Sequence, residues 1–311
     1  MRVLITGYGG FVAPYVARAL RNLLGSSLEI LGTHHRPSVG EDEVQIVDVN
    51  DVSAVDRVIA GFRPDHVIHL AAVSQIPDAA ADVDRAWRTN VLGTLNCARA
   101  VLHFAENASF IFASSGQVYG HSDRAHTEDS PIAPINDYAS TKAAADIALG
   151  ALAMRGLRIV RLRLYNHTGP RQAEKFVVSN FAAQIARIEH QRQEAILRVG
   201  DLGAERDFLD VRDVADAYAR TVQRAEEIPT GTILNICSGQ PVKIRALLDK
   251  LVALAREPIT IEIDPARWRK LDLAASYGDP ARCRRVLDWE PRYSLQQTLA
   301  DILDYHRKSV T

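Results

Sequence analysis

Val3-Leu4-Ile5-Thr6-Gly7-Tyr8-Gly9-Gly10-Phe11-Val12-Ala13 is the stretch that decides the fold of this chain. The apolar run before Gly7 predicts a short buried strand, and the apolar residues at helical spacing after Ala13 predict a helix. Gly7 and Gly10 lie in the turn between them, where glycine lets the backbone turn tightly and approach a pyrophosphate. The N-terminus of the following helix favours that negative charge. This order of elements predicts a dinucleotide-binding turn, although Gly-x-x-Gly alone also occurs in ordinary turns.

The same alternation of strand and helix continues through the first half of the chain. Strands are predicted at residues 28–33, 44–48, 65–70 and 110–113, with helices over residues 50–62 and 82–105 between them. Strands that alternate with helices form a parallel sheet with right-handed crossovers. We therefore predict an α/β fold with a Rossmann-like, doubly wound parallel sheet, whose ligands bind beyond the carboxyl ends of the strands.

The residues that follow the second predicted strand bear on the choice of dinucleotide. An acidic side chain there would bind the ribose hydroxyls of NAD, but the strand is followed by His34-His35-Arg36, which contains no acid. Arg36 is placed to meet the 2′-phosphate of NADP, although a loop arginine is often only solvated. Asp48, after the third strand, is placed to meet the adenine end. The sequence favours NADP(H), with NAD(H) as the alternative.

Tyr138 and Lys142 form the second informative pattern. They lie one helical turn apart in an alanine-rich helix predicted over residues 138–155, just after the strand that ends in Ser114-Ser115. The unperturbed pKa of a phenol is about 10, and a neighbouring ammonium is expected to lower it towards neutral pH. Such a pair suits proton transfer to or from an alcohol or carbonyl oxygen. The same spacing also occurs by chance on many surface helices.

The composition excludes several other classes of protein. The net charge of the 311-residue chain is −1, so there is no basic surface for nucleic acid and no polybasic membrane anchor. Cys97, Cys237 and Cys283 are too widely spaced for a disulfide framework or a zinc site. His66 and His69 face opposite sides of one strand, so we predict no metal site. The chain begins directly with a strand pattern and contains no membrane-length apolar run, so we expect a cytoplasmic protein.

Four motifs together resemble one protein family. Gly7-x-x-Gly10-x-x-Ala13, Leu70-Ala71-Ala72, Ala113-Ser114-Ser115 and Tyr138-x-x-x-Lys142 occur in the order and spacing of the extended short-chain dehydrogenase/reductases, in the nucleotide-sugar epimerase/dehydratase group. The resemblance covers essentially the whole chain and is specific for the superfamily, but not for a substrate. It implies that Ser115 hydrogen-bonds the reacting sugar oxygen, that Tyr138 is the acid–base group, and that Lys142 also holds the nicotinamide ribose.

The resemblance also implies a set of cofactor contacts from the glycine-rich turn, the strand ends and the Tyr138 helix. These residues are Gly7, Gly10, Phe11, Val12, Arg36, Asp48, Val49, Leu70, Ala71, Ala72, Asn90, Tyr138, Lys142 and Leu164.

The second half of the chain is expected to bind the nucleotide sugar. Arg206 is the cation that we expect on a substrate diphosphate, since its fork of donors matches phosphate oxygens, although a surface ion pair is the commoner role for an arginine. The resemblance adds Arg269 as a second diphosphate arginine and Asp272 as an acid for the nucleoside ribose. The full set of expected substrate contacts is Ser74, Ser115, Gly116, Gln117, Asn166, Val177, Val199, Arg206, Arg269 and Asp272.

The expected domain organisation follows from these assignments. Residues 1–165 and 206–240 are predicted to form the dinucleotide-binding domain, and residues 166–205 and 241–311 a smaller, C-terminal substrate-binding lobe. The family resemblance further suggests a homodimer formed through the helices predicted at residues 82–105 and 138–155.

Within the family, the segment Tyr165–Pro170 and the segment Arg206–Asp213 are most similar to GDP-sugar 4,6-dehydratases and GDP-6-deoxy-4-keto-sugar reductases. The dehydratases place an acidic residue after the catalytic serine, where this chain has Gly116-Gln117. The resemblance therefore implies an NADP(H)-dependent reductase of the 4-keto group of a GDP-6-deoxyhexose. The alternatives are a nucleotide-sugar 4-epimerase, a GDP-mannose 4,6-dehydratase and, outside the enzymes, a nucleotide-sensing protein on the same fold.

Overall fold

The computed structural model describes residues 1–25, 27–36, 43–267 and 274–310. Its strands are β1 (Arg2–Thr6), β2 (Glu29–His34), β3 (Glu43–Ile46), β4 (His66–His69), β5 (Ser109–Ser115), β6 (Arg158–Leu164), β7 (Asn166–Thr168), β8 (Ile196–Val199), β9 (Glu205–Asp210), β10 (Thr232–Ile236), β11 (Pro241–Lys243), β12 (Thr260–Ile263) and β13 (Ala275–Ser276).

The helices of the described chain cover the sheet and build the C-terminal lobe. They are α1 (Ala13–Leu24), α2 (Val52–Phe62), α3 (Ile76–Ala81), α4 (Val83–Trp87), α5 (Thr94–Phe104), α6 (Asp137–Ala153), α7 (Val177–Glu189), α8 (Val211–Gln223), α9 (Ile244–Val252), α10 (Ala281–Leu287) and α11 (Leu295–Val310). Within the described ranges, none of the helices is long and apolar enough to cross a membrane.

The central sheet has seven parallel strands in the order β10-β6-β5-β4-β1-β2-β3. The strand side chains alternate between the two faces of the sheet, and helices cover both faces. Val3 and Ile5 pack with α1 and α8 on one face, and Leu4 packs with α2, α5 and α6 on the other. The predicted Rossmann-like, doubly wound fold is confirmed.

The C-terminal lobe has its own apolar core, formed by α7, α9 and α11 with β8. β8 pairs with β12, and β9 pairs with β7, β11 and β13 in a separate small sheet. Although β9 belongs to this small sheet, α8 directly after it packs against α1 on the large sheet. The chain therefore passes between the two parts at Asp210. The domain boundaries given above stay a prediction.

The helix predicted over residues 82–105 lies where it was predicted, but it is not a regular α-helix throughout. α3 ends at Ala81, and the Asp82 side chain accepts a 2.9 Å hydrogen bond from the backbone N–H of Arg85, which starts a new helix. α4 then continues into a π-helical turn, Arg88–Gly93, before α5 begins. The spacing of the apolar residues did not reveal this π-helical turn.

Candidate active site

A cavity of about 680 Å³ opens at the carboxyl ends of the parallel strands, the edge of the sheet where ligands were predicted. Many of the predicted site residues line it, from the turn after β1, the ends of β4, β5 and β6, and the first turns of α6. These are Gly7, Gly10, Phe11, Val12, Asp48, Val49, Leu70, Ala71, Ala72, Ser74, Ser115, Gly116, Gln117, Tyr138, Lys142, Leu164 and Asn166.

The glycine-rich turn lies directly against the end of β4. Gly7 has a φ of 70°, and a Cβ added to it would lie 2.7 Å from the backbone nitrogen of Ala71. The same Ala71 N–H points to the Thr6 hydroxyl at 3.3 Å, and the Gly10 N–H donates to the Gly7 carbonyl at 2.9 Å. Since a side chain at Gly7 would collide with backbone, this position requires glycine. The turn thus leaves the N-terminus of α1 open to the cavity, as a pyrophosphate requires.

The far end of the cavity contains the groups expected near adenosine. β3 ends at Ile46, two residues earlier than predicted, so Asp48 lies in the turn that follows, where its Oδ1 accepts hydrogen bonds of 2.9 Å from the backbone and side chain of Asn50. His35 lines the same end. Burial lowers the pKa of His35, and the neighbouring cations, Arg85 among them, lower it further.

Two arginines at this end were missed by the sequence reasoning. Arg85 and Arg88 line the cavity with exposed side chains, whereas Arg36 is exposed but is not among the lining residues. Arg85 and Arg88 lie some fifty residues from β2, in a stretch that was interpreted as one regular helix. No local signal in the sequence marked them as cavity residues.

The reacting end of the cavity brings together Ser115, Tyr138 and Lys142. Ser115 ends β5, and its Oγ accepts a 3.2 Å hydrogen bond from the Gln117 N–H. Tyr138 lies in the first turn of α6, whose start is fixed by the Asn136 side chain accepting from the Ala139 N–H at 2.9 Å. Lys142, one turn later, is buried and donates from Nζ to the Ala113 carbonyl at 2.8 Å. One strand end and one helix therefore present all three groups.

The expected effect of Lys142 on Tyr138 is not found. Burial raises the pKa of Tyr138, and a hydrogen bond with the Ser115 side chain only partly opposes this. Burial also lowers the pKa of Lys142 to about 8, against the opposing effect of Asp146. Desolvation disfavours both charged forms and outweighs the attraction predicted from their spacing. The phenol therefore keeps its proton near neutral pH, the form that a proton donor needs.

Asn90 is placed behind the cavity rather than in its wall. It is buried, its Oδ1 accepts from the Val73 N–H at 2.8 Å, and its Nδ2 donates to the Val73 carbonyl at 3.1 Å and to the Thr141 hydroxyl at 2.9 Å. Asn90 thus ties the loop after β4 to α6, between the cofactor side and the catalytic helix.

Several other predicted substrate residues are not among the lining residues. Arg206 lies on β9 and donates to the Glu205 carbonyl at 2.7 Å, Val199 is buried at the end of β8, and Val177 is the first residue of α7. Arg269 and Asp272 lie outside the described residues. Additional lining residues come from the stretch after β6 and from more distant elements, namely Tyr165, His167, Gln172, Phe176, Tyr218 and Ser276.

The cavity holds few acidic groups. Among the lining residues that the structure describes, the only carboxylate is Asp48, at the adenosine end. Glu128 is buried elsewhere, where Oε1 accepts from the Asn235 N–H at 2.8 Å and Oε2 lies 3.5 Å from the Arg282 guanidinium. Asp129 pairs with the same arginine at 2.6 Å. No described carboxylate therefore lines the cavity beside Ser115.

Comparison with known proteins gives a consistent result. A family model described as GDP-mannose 4,6 dehydratase matches residues 4–302. The GDP-6-deoxy-D-mannose reductase of Pseudomonas aeruginosa is 39% identical over 307 residues, covering 97% of this chain and 96% of the relative. The structure of RMD from Pseudomonas aeruginosa complexed with NADPH superposes with a TM-score of 0.87 at 32% identity over 99% of both chains. The UDP-glucose 4-epimerase of Thermus thermophilus in complex with NAD gives a TM-score of 0.86 at 28% identity, again over 99% of both chains.

Proposed function

The chain belongs to the GDP-mannose 4,6-dehydratase family of extended short-chain dehydrogenase/reductases, and from this premise we propose that it is an NADP(H)-dependent reductase of the 4-keto group of a GDP-6-deoxyhexose. The observation that carries the proposal is the cavity wall around Ser115. It presents a hydroxyl, a phenol and an ammonium, which reduction of a ketone uses, and no described carboxylate, which removal of water requires. The relative named as a GDP-6-deoxy-D-mannose reductase supports the same choice.

The residues fit a nicotinamide dinucleotide, since Gly7 packs too closely against the Ala71 backbone to carry a side chain, and Gly10, Phe11 and Val12 of the same turn line the cavity. Bound NADPH would supply a hydride. On the protein side, the protonated phenol of Tyr138 donates its proton to the C4 oxygen. The Ser115 hydroxyl holds that oxygen beside Tyr138, and Lys142, whose pKa is about 8, carries positive charge at neutral pH at the same edge of the cavity. Hydride and proton together convert the ketone to an alcohol.

The direct test is the nicotinamide absorbance of the purified protein mixed with NADPH and GDP-4-keto-6-deoxy-D-mannose. We expect one NADPH to be consumed for each sugar reduced, with a product heavier by two hydrogen atoms. A 4-epimerase would use the same Ser115, Tyr138 and Lys142 but consume no net cofactor, and the similarity to an NAD-bound epimerase makes it the second candidate. A nucleotide-sensing protein would show neither reaction. Conversion of UDP-glucose without NADPH oxidation would overturn the reductase proposal.

We further propose that the protein prefers NADPH to NADH, through cations at the adenosine end. Removing Arg85 and Arg88 together should weaken NADPH binding at least about tenfold, the size of one lost charge-assisted hydrogen bond, and leave NADH binding nearly unchanged. Arg36→Ala is the matched arginine variant, and a smaller effect is expected because Arg36 is not among the lining residues. The measurement is the dissociation constant of each variant for NADPH and for NADH, obtained from nicotinamide fluorescence. Equal weakening of NADPH and NADH would show that these arginines do not distinguish the 2′-phosphate.

A homodimer is also proposed. Trp87, Leu92 and Ile147 are apolar residues on the α4–α5 segment and on α6, yet they are 40%, 54% and 59% exposed. Since α6 packs against α4 and the Arg88–Gly93 turn, these side chains belong to one face of the protein, and a shared exposed apolar face suits a protein–protein contact. Sedimentation equilibrium should give twice the chain mass of 34.3 kDa, and Ile147→Glu should give the monomer. A monomeric wild-type protein at assay concentration would contradict the proposal.

We place the protein in the cytoplasm. The three cysteines are free and buried, which suits a reducing compartment. Recovery of the protein in a secreted or periplasmic fraction of cells would contradict this location.

A further inference from the structure

Two consecutive hydrogen bonds tie the end of β5 to the catalytic helix. Lys142 Nζ donates to the Ala113 carbonyl at 2.8 Å, and the Ser114 hydroxyl donates to Asp146 Oδ2 at 2.6 Å. The next residue on the strand is Ser115. On α6, Tyr138, Lys142 and Asp146 follow one another at intervals of one turn, so they share one face of the helix. The strand and the helix that carry the reacting groups are therefore joined at two neighbouring points.

Asp146 is itself held from a third element. Its fully buried carboxylate accepts from Arg163 Nε and Nη2, both at 3.1 Å, and from Arg161 Nη1 at 3.1 Å, and both arginines lie on β6. Together with the Ser114 hydroxyl, these donors stabilise the negative charge of Asp146, which would be very costly to bury without partners. Removing this carboxylate would release β5, α6 and β6 from one another at one point.

The same cluster also reaches the segment that follows Ser115. Arg163 Nη1 donates to the Tyr119 hydroxyl at 2.9 Å, and Tyr119 ends the short 3₁₀ turn Gly116–Tyr119. The guanidinium also lies over the Tyr119 ring, 4.9 Å from its centre. Ser115 is thus fixed on both sides, by Ser114 before it and by Tyr119 after it.

We propose that Asp146 and Ser114 are positioning residues of this active site, which hold Ser115 in line with Tyr138 and Lys142. Asp146 is not among the lining residues of the cavity, so it acts through the residues it binds. Ser114 borders the cavity, but its hydroxyl donates to Asp146 and its side chain is buried. The inference deepens the proposed function and rests on it for the identity of the reaction, but not for the binding of NADPH. Small misalignments of reacting groups reduce rates strongly even when folding is preserved.

The cluster also affects the charge of Lys142. Asp146 raises the pKa of Lys142, while burial lowers it. The ammonium also lies 5.0 Å from the centre of the Phe112 ring and faces the buried His69 of β4, whose pKa burial lowers to about 3, so that it is neutral. The arginines of β6 are paired with Asp146. Asp146→Asn should therefore let Lys142 lose its proton at a lower pH.

The chain offers a matched control for Ser114→Ala. Ser109 lies at the opposite end of β5 from Ser114, and the two side chains are similarly buried, at 4% and 3% exposed. Each makes a buried 2.6 Å hydrogen bond, Ser109 with Nδ1 of His66 and Ser114 with Asp146. Both alanine variants should lower the melting temperature by similar amounts. Only Ser114→Ala should weaken NADPH binding several-fold and reduce turnover at least about tenfold, while Ser109→Ala should stay within about twofold in both measurements.

The second arm measures NADPH affinity against pH. Wild-type affinity should fall above about pH 8, as Lys142 loses its proton, and Asp146→Asn should move this fall to lower pH by roughly one unit. Equal effects of the two serine variants, or an unshifted pH profile in folded Asp146→Asn, would overturn the proposal. If Asp146→Asn does not fold, the comparison of Ser114→Ala with Ser109→Ala still tests the positioning role. If the wild type reduces no keto sugar, the proposed function fails, whereas the NADPH affinities still test the positioning role.

Discussion

Tyr138→Phe is expected to lower turnover at least about a hundredfold while NADPH binding is retained, the usual scale for loss of a general acid. The reason is local, because Tyr138 lines the cavity beside Ser115 and its pKa is raised, so it is the protonated donor of the site. Phenylalanine keeps the ring that packs against Val73, Ala79 and Ala86 and removes only the hydroxyl. Steady-state kinetics with the keto sugar and a fluorescence titration with NADPH measure the two quantities separately.

Tyr305→Phe is the control for this substitution. Tyr305 lies on α11, outside the lining residues of the cavity, so turnover should stay within about twofold of wild type, in the range of a surface change. Near-wild-type turnover of Tyr138→Phe with its own substrate would remove Tyr138 from the reaction.

The second large effect concerns reaction type, since we expect GDP-mannose to lose no water on this protein. Elimination across C5 and C6 needs a base for the C5 proton and an acid for the leaving hydroxyl. Gln117 cannot exchange a proton near neutral pH, and Gly116 has no side chain. Glu128 and Asp129, acids of the loop before α6, are bound to Asn235 and Arg282.

The packing around Gly116 strengthens this expectation. A Cβ at Gly116 would lie 2.7 Å from two ring atoms of Tyr165, and a Cβ at Gly278 would lie 2.6 Å from the same ring. Tyr165 therefore fills the space between two glycines, and an acidic side chain at position 116 would have to displace it. Overpacking of a buried site costs about 1–3 kcal/mol, so a single substitution there is not expected to create a dehydratase.

The features that could be predicted from the sequence are those with local causes. Gly7, Gly10 and the strand before them form a contiguous turn, and Ser115, Tyr138 and Lys142 follow one strand end and one helix start. Their place at a common edge follows from parallel topology alone. The structure adds what a local pattern does not contain, namely the distances that join β5 to α6.

The features that the sequence did not reveal have long-range causes. Arg85 and Arg88 line the cavity although they lie some fifty residues from β2 along the chain, and Asn90 lies behind the wall because it binds the backbone of Val73. The raised pKa of Tyr138 depends on burial by other elements, which spacing to Lys142 does not report. Val199 lies on β8 and Arg206 on β9, outside the central sheet. Their distance from the cavity depends on how the chain passes from the central sheet to the C-terminal lobe.

The reductase proposal is tested most directly by two parallel incubations of the protein, one with NADPH and GDP-4-keto-6-deoxy-D-mannose and one with catalytic NADP⁺ and GDP-mannose, each followed by mass analysis of the sugars. The proposal predicts that the keto sugar gains two hydrogen atoms, that an equal amount of NADPH is oxidised, and that GDP-mannose is unchanged. A product lighter than GDP-mannose by one water, with the keto sugar left unreduced, would contradict it and make this protein a dehydratase.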